Sequence, residues 1–313
     1  MRDVKKIATR ESYGKTLVEL GAKMPNLVVL DADLAGSTKT GEFQKVYPDR
    51  FFDCGIAEGN MMSIAAGLAA AGMVPFASSF AMFASGRAYE QIRNSIGYPR
   101  LNVKIGASHA GISVGEDGAS HQCLEDLALM RMIPGMVVMC PADDTEARKA
   151  VKAAVEHDGP VYIRFGRSPV PVVFDEDYEF KIGKGSILRE GKDVSIVANG
   201  LCVASALEAA DMLAKDGIDA EVVNICTIKP LDDDLIVQTA SKTGRVVTVE
   251  EHSIIGGLGG AVAECLSEKC PTKMYRIGVR DVFGESGPAG ELLHRYMLDG
   301  EGVYDQVKAF IED

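Results

Sequence analysis

The chain has 313 residues, 47% of them hydrophobic and 25% charged, which is enough to bury more than one core, so two domains are the first expectation. The net charge is -12 and no basic run occurs; this excludes the clustered Lys and Arg that binding to nucleic acid or to an anionic membrane requires. The seven cysteines are odd in number and form no CxxC pair, which argues against a disulfide framework or a zinc knuckle and for reduced thiols in a cytoplasm.

The opening segment, MRDVKKIATRESYGK, lacks the apolar core of a signal peptide. The longest apolar run, Ile64 to Phe76, is too short and too rich in Gly and Ala to span a bilayer. β-rich runs then alternate with amphipathic ones. NLVVLDADL (26–34) reads as a strand and GNMMSIAAGLAAAG (59–72) as a helix ending at Gly72. LNVKIGAS (101–108) is a strand, LEDLALMRMI (124–133) a helix, and MVVMCPA (136–142) a strand stopped by its proline. DDTEARKAVKAAVEHDG (143–159) is a helix with acids at its start and a glycine to cap its end in the left-handed conformation. GPVYIRFGR (159–167) is another strand.

SPVPVVFDEDYEF (168–180) combines two prolines with an acidic cluster and reads as a stiff, solvated linker. Strands at DVSIVANG, DAEVVNI, RVVTVEE and KMYRIGV follow, with helices at LCVASALEAADMLAKDG and GGAVAECLSEK between them. The alternation predicts α/β architecture in two doubly wound domains built on parallel sheets. Ligands of such sheets sit beyond the carboxyl ends of strands.

Several polar residues fall in those places. Glu58, in CGIAEGNMM, stands among small and apolar residues; a helix-start acid favoured by the dipole accounts for it as well as a chemical role does. Phe80 and Phe83 are three residues apart, so on a helical turn both rings face one way. They suit core packing or the stacking of a flat aromatic ligand. The long segment GASHAGISVGEDGASHQ (106–122) carries two of the five histidines, His109 and His121, with Asp117 between. Such loops are often functional, and histidine suits proton transfer near neutrality. Its spacing matches no common structural zinc pattern, and no metal ligand is expected in this chain. Arg10, Ser37 and Arg167 could bind an anion. IIGGLGGAV, opening a late helix, reads as a tight loop because it lacks the dinucleotide fingerprint and the P-loop lysine.

IATRES, DADLAGS, CGIAEGNM, SSFAMF, SHAGISVGEDGASHQ and FGRSPV, in this order, resemble the C-terminal half of a transketolase. The likeness is dense in residues 4–170 and looser beyond. It implies a pyrimidine-binding domain of thiamine-diphosphate enzymes at 4–170, a linker at 171–185 and a transketolase C-terminal domain at 186–313. By the same resemblance Glu58 would engage the aminopyrimidine of the cofactor, Phe80 and Phe83 would hold that ring, and Asp33 would lie close to it. His109, His121 and Asp117 would surround the substrate hydroxyls, with His109 and His121 catalytic beside Glu58. Arg10, Ser37 and Arg167 would clamp a sugar phosphate. Two positions depart from many transketolases: Gly86 replaces an aromatic residue, and Ala110 replaces an acid.

The Mg²⁺-diphosphate motif of the family, a GDG with a downstream Asn, is missing: GEDG lies in the histidine loop, and no Asn occurs between Asn102 and Asn199. The resemblance therefore implies half an active site. A transketolase N-terminal subunit would hold Mg²⁺ and the diphosphate, and a homodimer of this chain would join it in an α2β2 heterotetramer. The implied reaction moves a two-carbon ketol unit between sugar phosphates, as in the pentose phosphate pathway. Alternatives left open are a ketol transferase for a specialised sugar, the β subunit of a 2-oxoacid dehydrogenase, and a non-catalytic regulatory subunit.

Overall fold

The computed structural model describes residues 5–313; residue 4, the expected start of the first domain, lies outside them. The first half builds a seven-stranded sheet. Its strands, in spatial order, are Thr227–Lys229, Val137–Met139, Val161–Arg164, Lys104–Ser108, Val74–Phe80, Leu27–Asp31 and Phe51–Asp53. All pairings are parallel except that of Thr227–Lys229 with Val137–Met139. The inner strands Leu27–Asp31, Val74–Phe80 and Lys104–Ser108 are buried along their whole length, as strands covered by helices on both faces must be. One apolar cluster, with Leu30, Met61, Ala65 and Ile105, fills one face; another, with Tyr13, Leu17, Phe76 and Val151, fills the other.

A five-stranded sheet follows, in the order Lys273–Val279, Arg245–Ser253, Val194–Ala198, Ala220–Asn224 and Ser186–Arg189, the last antiparallel. Helices Cys202–Lys215 and Gly300–Glu312 cover one face, and Asp233–Thr243 and Leu258–Lys269 the other.

The halves interlock more than the sequence suggests. Thr227–Lys229 leaves the second half to extend the first sheet, because its alternation is too short to announce a strand. Segment 171–185, expected as a stiff linker with solvated acids, does expose Asp175, Glu176, Asp177 and Glu179, but it is also strapped to the first half. Val170–Pro171 pairs with Lys6–Ile7. Asp143 Oδ2 accepts the amides of Val173 and Phe174 at 2.7 and 2.8 Å. Phe174 stacks on Tyr178 at 4.0 Å, and the acidic Glu176 is taken up by Arg148 at 2.6 Å.

Helix Asp144–Glu156 starts as expected, with Asp143 accepting the Glu146 amide at 2.8 Å. Its end departs from expectation: His157 is extended, with no left-handed glycine cap. The fully buried Lys104 explains this, since its Nζ donates to the carbonyls of His157 and Gly159 at 2.7 and 2.8 Å and draws the chain inward.

Arg164, at the end of its strand, is buried against Asp126, with Nε 3.0 Å from Oδ2. Its Nη2 also donates to the carbonyls of Cys123 and Glu251, at 3.1 and 2.8 Å, and Tyr162 donates to Asp126 at 2.8 Å. Removing one member of a buried ion pair strands the other's charge. Asp126→Ala should therefore destabilise the fold by about 3–5 kcal/mol, read by urea denaturation; a loss near zero would mean that the pair carries no structural weight.

Candidate active site

Strand order reverses beside Leu27–Asp31: the chain passes to Phe51–Asp53 on one side and returns to Val74–Phe80 on the other. Ligand crevices form at such switch points, beyond the carboxyl ends. Asp33, Glu58, Phe80, His109 and Arg167 all lie at or just past the carboxyl ends of successive strands.

Glu58 opens helix Glu58–Ala70, as the dipole favours, after a turn through Gly55 at φ +66°. The side chain is 1% exposed, and Oε2 has no hydrogen-bond partner. The Arg87 guanidinium is 3.7 Å away but 60% exposed. The same guanidinium lies 5.6 Å from the Phe83 ring centre, so Arg87 spans the carboxylate and the aromatic pair.

Phe80 ends its strand rather than starting a helical turn; the chain then enters a π-helical turn at Met82–Arg87. Its ring and that of Phe83 are 5.9 Å apart and inclined by 18°, so the two face one way as expected. The space over Gly86 is taken by the Met82 side chain.

The parallel register sets Phe80 beside Ser108, which puts the next residue, His109, against the Phe80 ring at 3.9 Å. His121 meets Phe83 edge-on at 5.2 Å and Phe80 at 6.2 Å. The connecting loop winds into 3-10 turns over Ile112–Asp117, kinked at Gly115, and passes through glycines of positive φ. Asp117 is exposed at its end.

His109 is 3% exposed and adopts φ +56°. An Arg10 N–H points at Nε2 from 3.3 Å, and Ser108 Oγ lies 2.9 Å from Nδ1. Arginine cannot accept, so Nε2 must carry the lone pair and Nδ1 the proton. Burial, reinforced by Arg10, Arg167, His121 and Lys39, pushes the ring down to about 3. His109 is therefore a neutral hydrogen-bonding group at physiological pH.

The three expected anion ligands are arranged unequally. Arg10 Nη1 donates to the Ser37 carbonyl, not its hydroxyl, at 2.8 Å, and its Nε is buried without a partner. Arg167 contacts the Val114 carbonyl at 2.6 Å and Glu116 at 2.7 Å. Asp33 is exposed, with φ +61° and its N–H on Asp53. The buried acid here is Asp31, a residue missing from the candidates that the sequence suggests. It accepts from Leu34 N, Thr38 Oγ1 and Thr40 Oγ1 at 2.6, 2.7 and 2.8 Å, and burial pushes it up to about 6. The signal that could have found it is the run of hydroxyls and amides in DLAGSTKT after a strand. The late glycine loop holds no free amide cradle: Glu250 occupies the amides of Leu258 and Gly259 at 2.7 Å each.

A family model for the transketolase pyrimidine-binding domain matches residues 5–172, and one for the transketolase C-terminal domain matches residues 183–303. A protein of Methanocaldococcus jannaschii provisionally described as a transketolase C-terminal section is 54% identical, over 95% of this chain and 94% of that one. The 6-deoxy-6-sulfo-D-fructose transketolase subunit SqwH of a Clostridium species is 46% identical, over 94% of this chain and 91% of that one. A solved structure of a split gene transketolase, described as an inactive beta4 tetramer, superposes with a TM-score of 0.91 at 57% identity, covering 98% of this chain and 99% of that one.

The lowered pKa of His109 has a measurable sign. Its ordinary value, 6.5, exceeds the folded value, so below 6.5 the unfolded chain binds the extra proton and stability should fall with falling pH. NMR titration of the His109 ring should show no protonation step between pH 8 and about pH 4; a midpoint near the ordinary value would contradict the buried, Arg10-facing ring.

Proposed function

The chain belongs to the transketolase family, and on that premise we propose that it is the C-terminal subunit of a split transketolase that needs thiamine diphosphate. One observation carries this reading: the Glu58 carboxylate is buried with an oxygen that has no hydrogen-bond partner, its nearest cation being the exposed Arg87 guanidinium at 3.7 Å. Burying an acceptor without a hydrogen bond costs free energy, so the arrangement is suited to a heteroaromatic N–H brought by a ligand. Phe80 and Phe83 offer the rings against which a flat pyrimidine can lie. When bound, the cofactor supplies the carbanion chemistry of ketol transfer.

The chain's own residues then divide the work. Glu58 Oε2 would accept a hydrogen bond from the pyrimidine of the cofactor. Arg10, with its unpartnered Nε, and Arg167 bind the phosphate of the sugar, which displaces Glu116 from Arg167. Neutral His109 hydrogen-bonds a substrate oxygen, and half-buried His121, whose Nδ1 lies 2.9 Å from Ser120 Oγ, is the second histidine turned to the substrate hydroxyls. Ser37 shapes the pocket through its carbonyl. Exposed Asp117 would reach a substrate hydroxyl, and exposed Asp33 would lie close to the cofactor.

The diphosphate end has no counterpart in the sequence, which has no GDG and no Asn between Asn102 and Asn199. An N-terminal subunit would supply it together with Mg²⁺, in an α2β2 assembly built on a dimer of this chain. The split-gene neighbour is described as an inactive tetramer of β chains, which supports a requirement for a second polypeptide. All seven cysteines are free thiols, in keeping with a cytoplasmic setting, and no helix among the described residues is long and apolar enough to cross a membrane. The SqwH relative, named for a sulfonated sugar, favours one alternative: a ketol transferase whose anionic sugar is specialised.

With the N-terminal subunit present, Glu58→Ala should lower ketol transfer at least about a hundredfold and leave the assembly intact by size-exclusion chromatography; near-normal turnover would remove Glu58 from the chemistry. Arg167→Ala should raise KM for phosphorylated sugars relative to unphosphorylated ones by the equivalent of about 1.5–3 kcal/mol. Equal effects on the two classes would remove Arg167 from the clamp.

A further inference from the structure

The second sheet places one buried carboxylate against the histidine loop. Glu251, near the end of strand Arg245–Ser253, is 4% exposed, and its Oε1 accepts the Ser113 amide. Gly111, at φ +84°, packs on the Glu251 side chain so closely that a Cβ there would overlap it. The same neck is tied from the other side. Cys123 O accepts the Gly111 amide at 2.9 Å and the Arg164 guanidinium at 3.1 Å, and that guanidinium also holds Glu251 O at 2.8 Å. Ala110 and Cys123 form a β-bridge, and the Ser253 amide closes on Leu124 O at 2.8 Å.

His109 leaves this neck one residue before Ala110, and His121 leaves it two residues before Cys123. Both rings end on Phe80. A movement of the neck therefore moves both histidines relative to the ring.

We propose that Glu251 is a positioning residue: by holding the turn Gly111–Ser113 it sets the spacing of His109 and His121, so that the second sheet tunes sugar-phosphate affinity. This inference rests on the reading of the histidines as substrate ligands given above. Burial pushes the Glu251 carboxyl up to about 7, against the pull of Arg164 and of Ser113, while Asp126 adds to the rise. The thiols of Cys140 and Cys202 are further titratable groups that feel its charge. The ionised carboxylate is the stronger acceptor for the Ser113 N–H, so the turn loosens as Glu251 takes up its proton.

Glu251→Gln keeps the shape and stands in permanently for the protonated carboxyl. In the assembled enzyme, wild-type KM for a sugar phosphate should rise as pH falls through 7. The variant should hold the acid-side KM at every pH, about tenfold above wild type at pH 8, the loss of one charge-assisted hydrogen bond, with kcat little changed. Hydrogen exchange on the full chain should show amides 111–123 exchanging faster in the variant at pH 8. A variant with the wild-type KM profile and wild-type exchange overturns the proposal. Should the wild-type assembly transfer no ketol unit, the function proposed above fails, and the exchange measurement still decides whether Glu251 holds the loop.

Discussion

The Arg164 side chain is the interaction on which the rest of this molecule depends. It is fixed by Asp126 within the first half, by the Cys123 carbonyl at the neck of the histidine loop, and by the Glu251 carbonyl of the second sheet. A buried pair of this kind contributes little net stability compared with apolar packing, because desolvation offsets most of the attraction. Its effect is to specify arrangement. A planar guanidinium has one set of directions, and three chain segments must meet it. The histidine loop and the second domain are held to one geometry as a result.

That geometry brings chemistry to the carboxyl edge of a parallel sheet. Adjacent parallel strands end at nearly the same level, so short loops deliver Glu58, Phe80, His109 and Arg167 to one crevice without long-range design. Among the buried atoms without a hydrogen-bond partner are the Glu58 Oε2 and the Arg10 Nε. Unpaired buried polar atoms are rare in folded proteins because each costs free energy. One is an acceptor facing the exposed Arg87, and the other is a cationic donor beside neutral His109.

Much of this was legible in the sequence. The order of strands and helices followed from hydrophobic runs and breakers, and the site segments followed from polar residues placed after strands. What escaped was set by tertiary contacts. The Lys104 side chain redirected the end of helix Asp144–Glu156, and no pattern near residue 157 announces a lysine 53 residues away. The anchoring of segment 171–185 is not announced by its own residues, because Arg148 and Lys149 lie on another element. Asp31 is overshadowed by Asp33: one ends the strand and the other follows it by two residues, and only the fold decides which is buried. The Ser37 carbonyl, rather than its hydroxyl, serves Arg10, a distinction that residue type cannot convey.

The central claim is that this chain holds the half of a cofactor site that activates the ring, while a second polypeptide anchors the diphosphate. Calorimetric titration of thiamine diphosphate with Mg²⁺ into this chain alone, into an N-terminal subunit alone and into their mixture tests it directly. Tight binding is expected only in the mixture. Tight, Mg²⁺-dependent binding by this chain alone would contradict the claim.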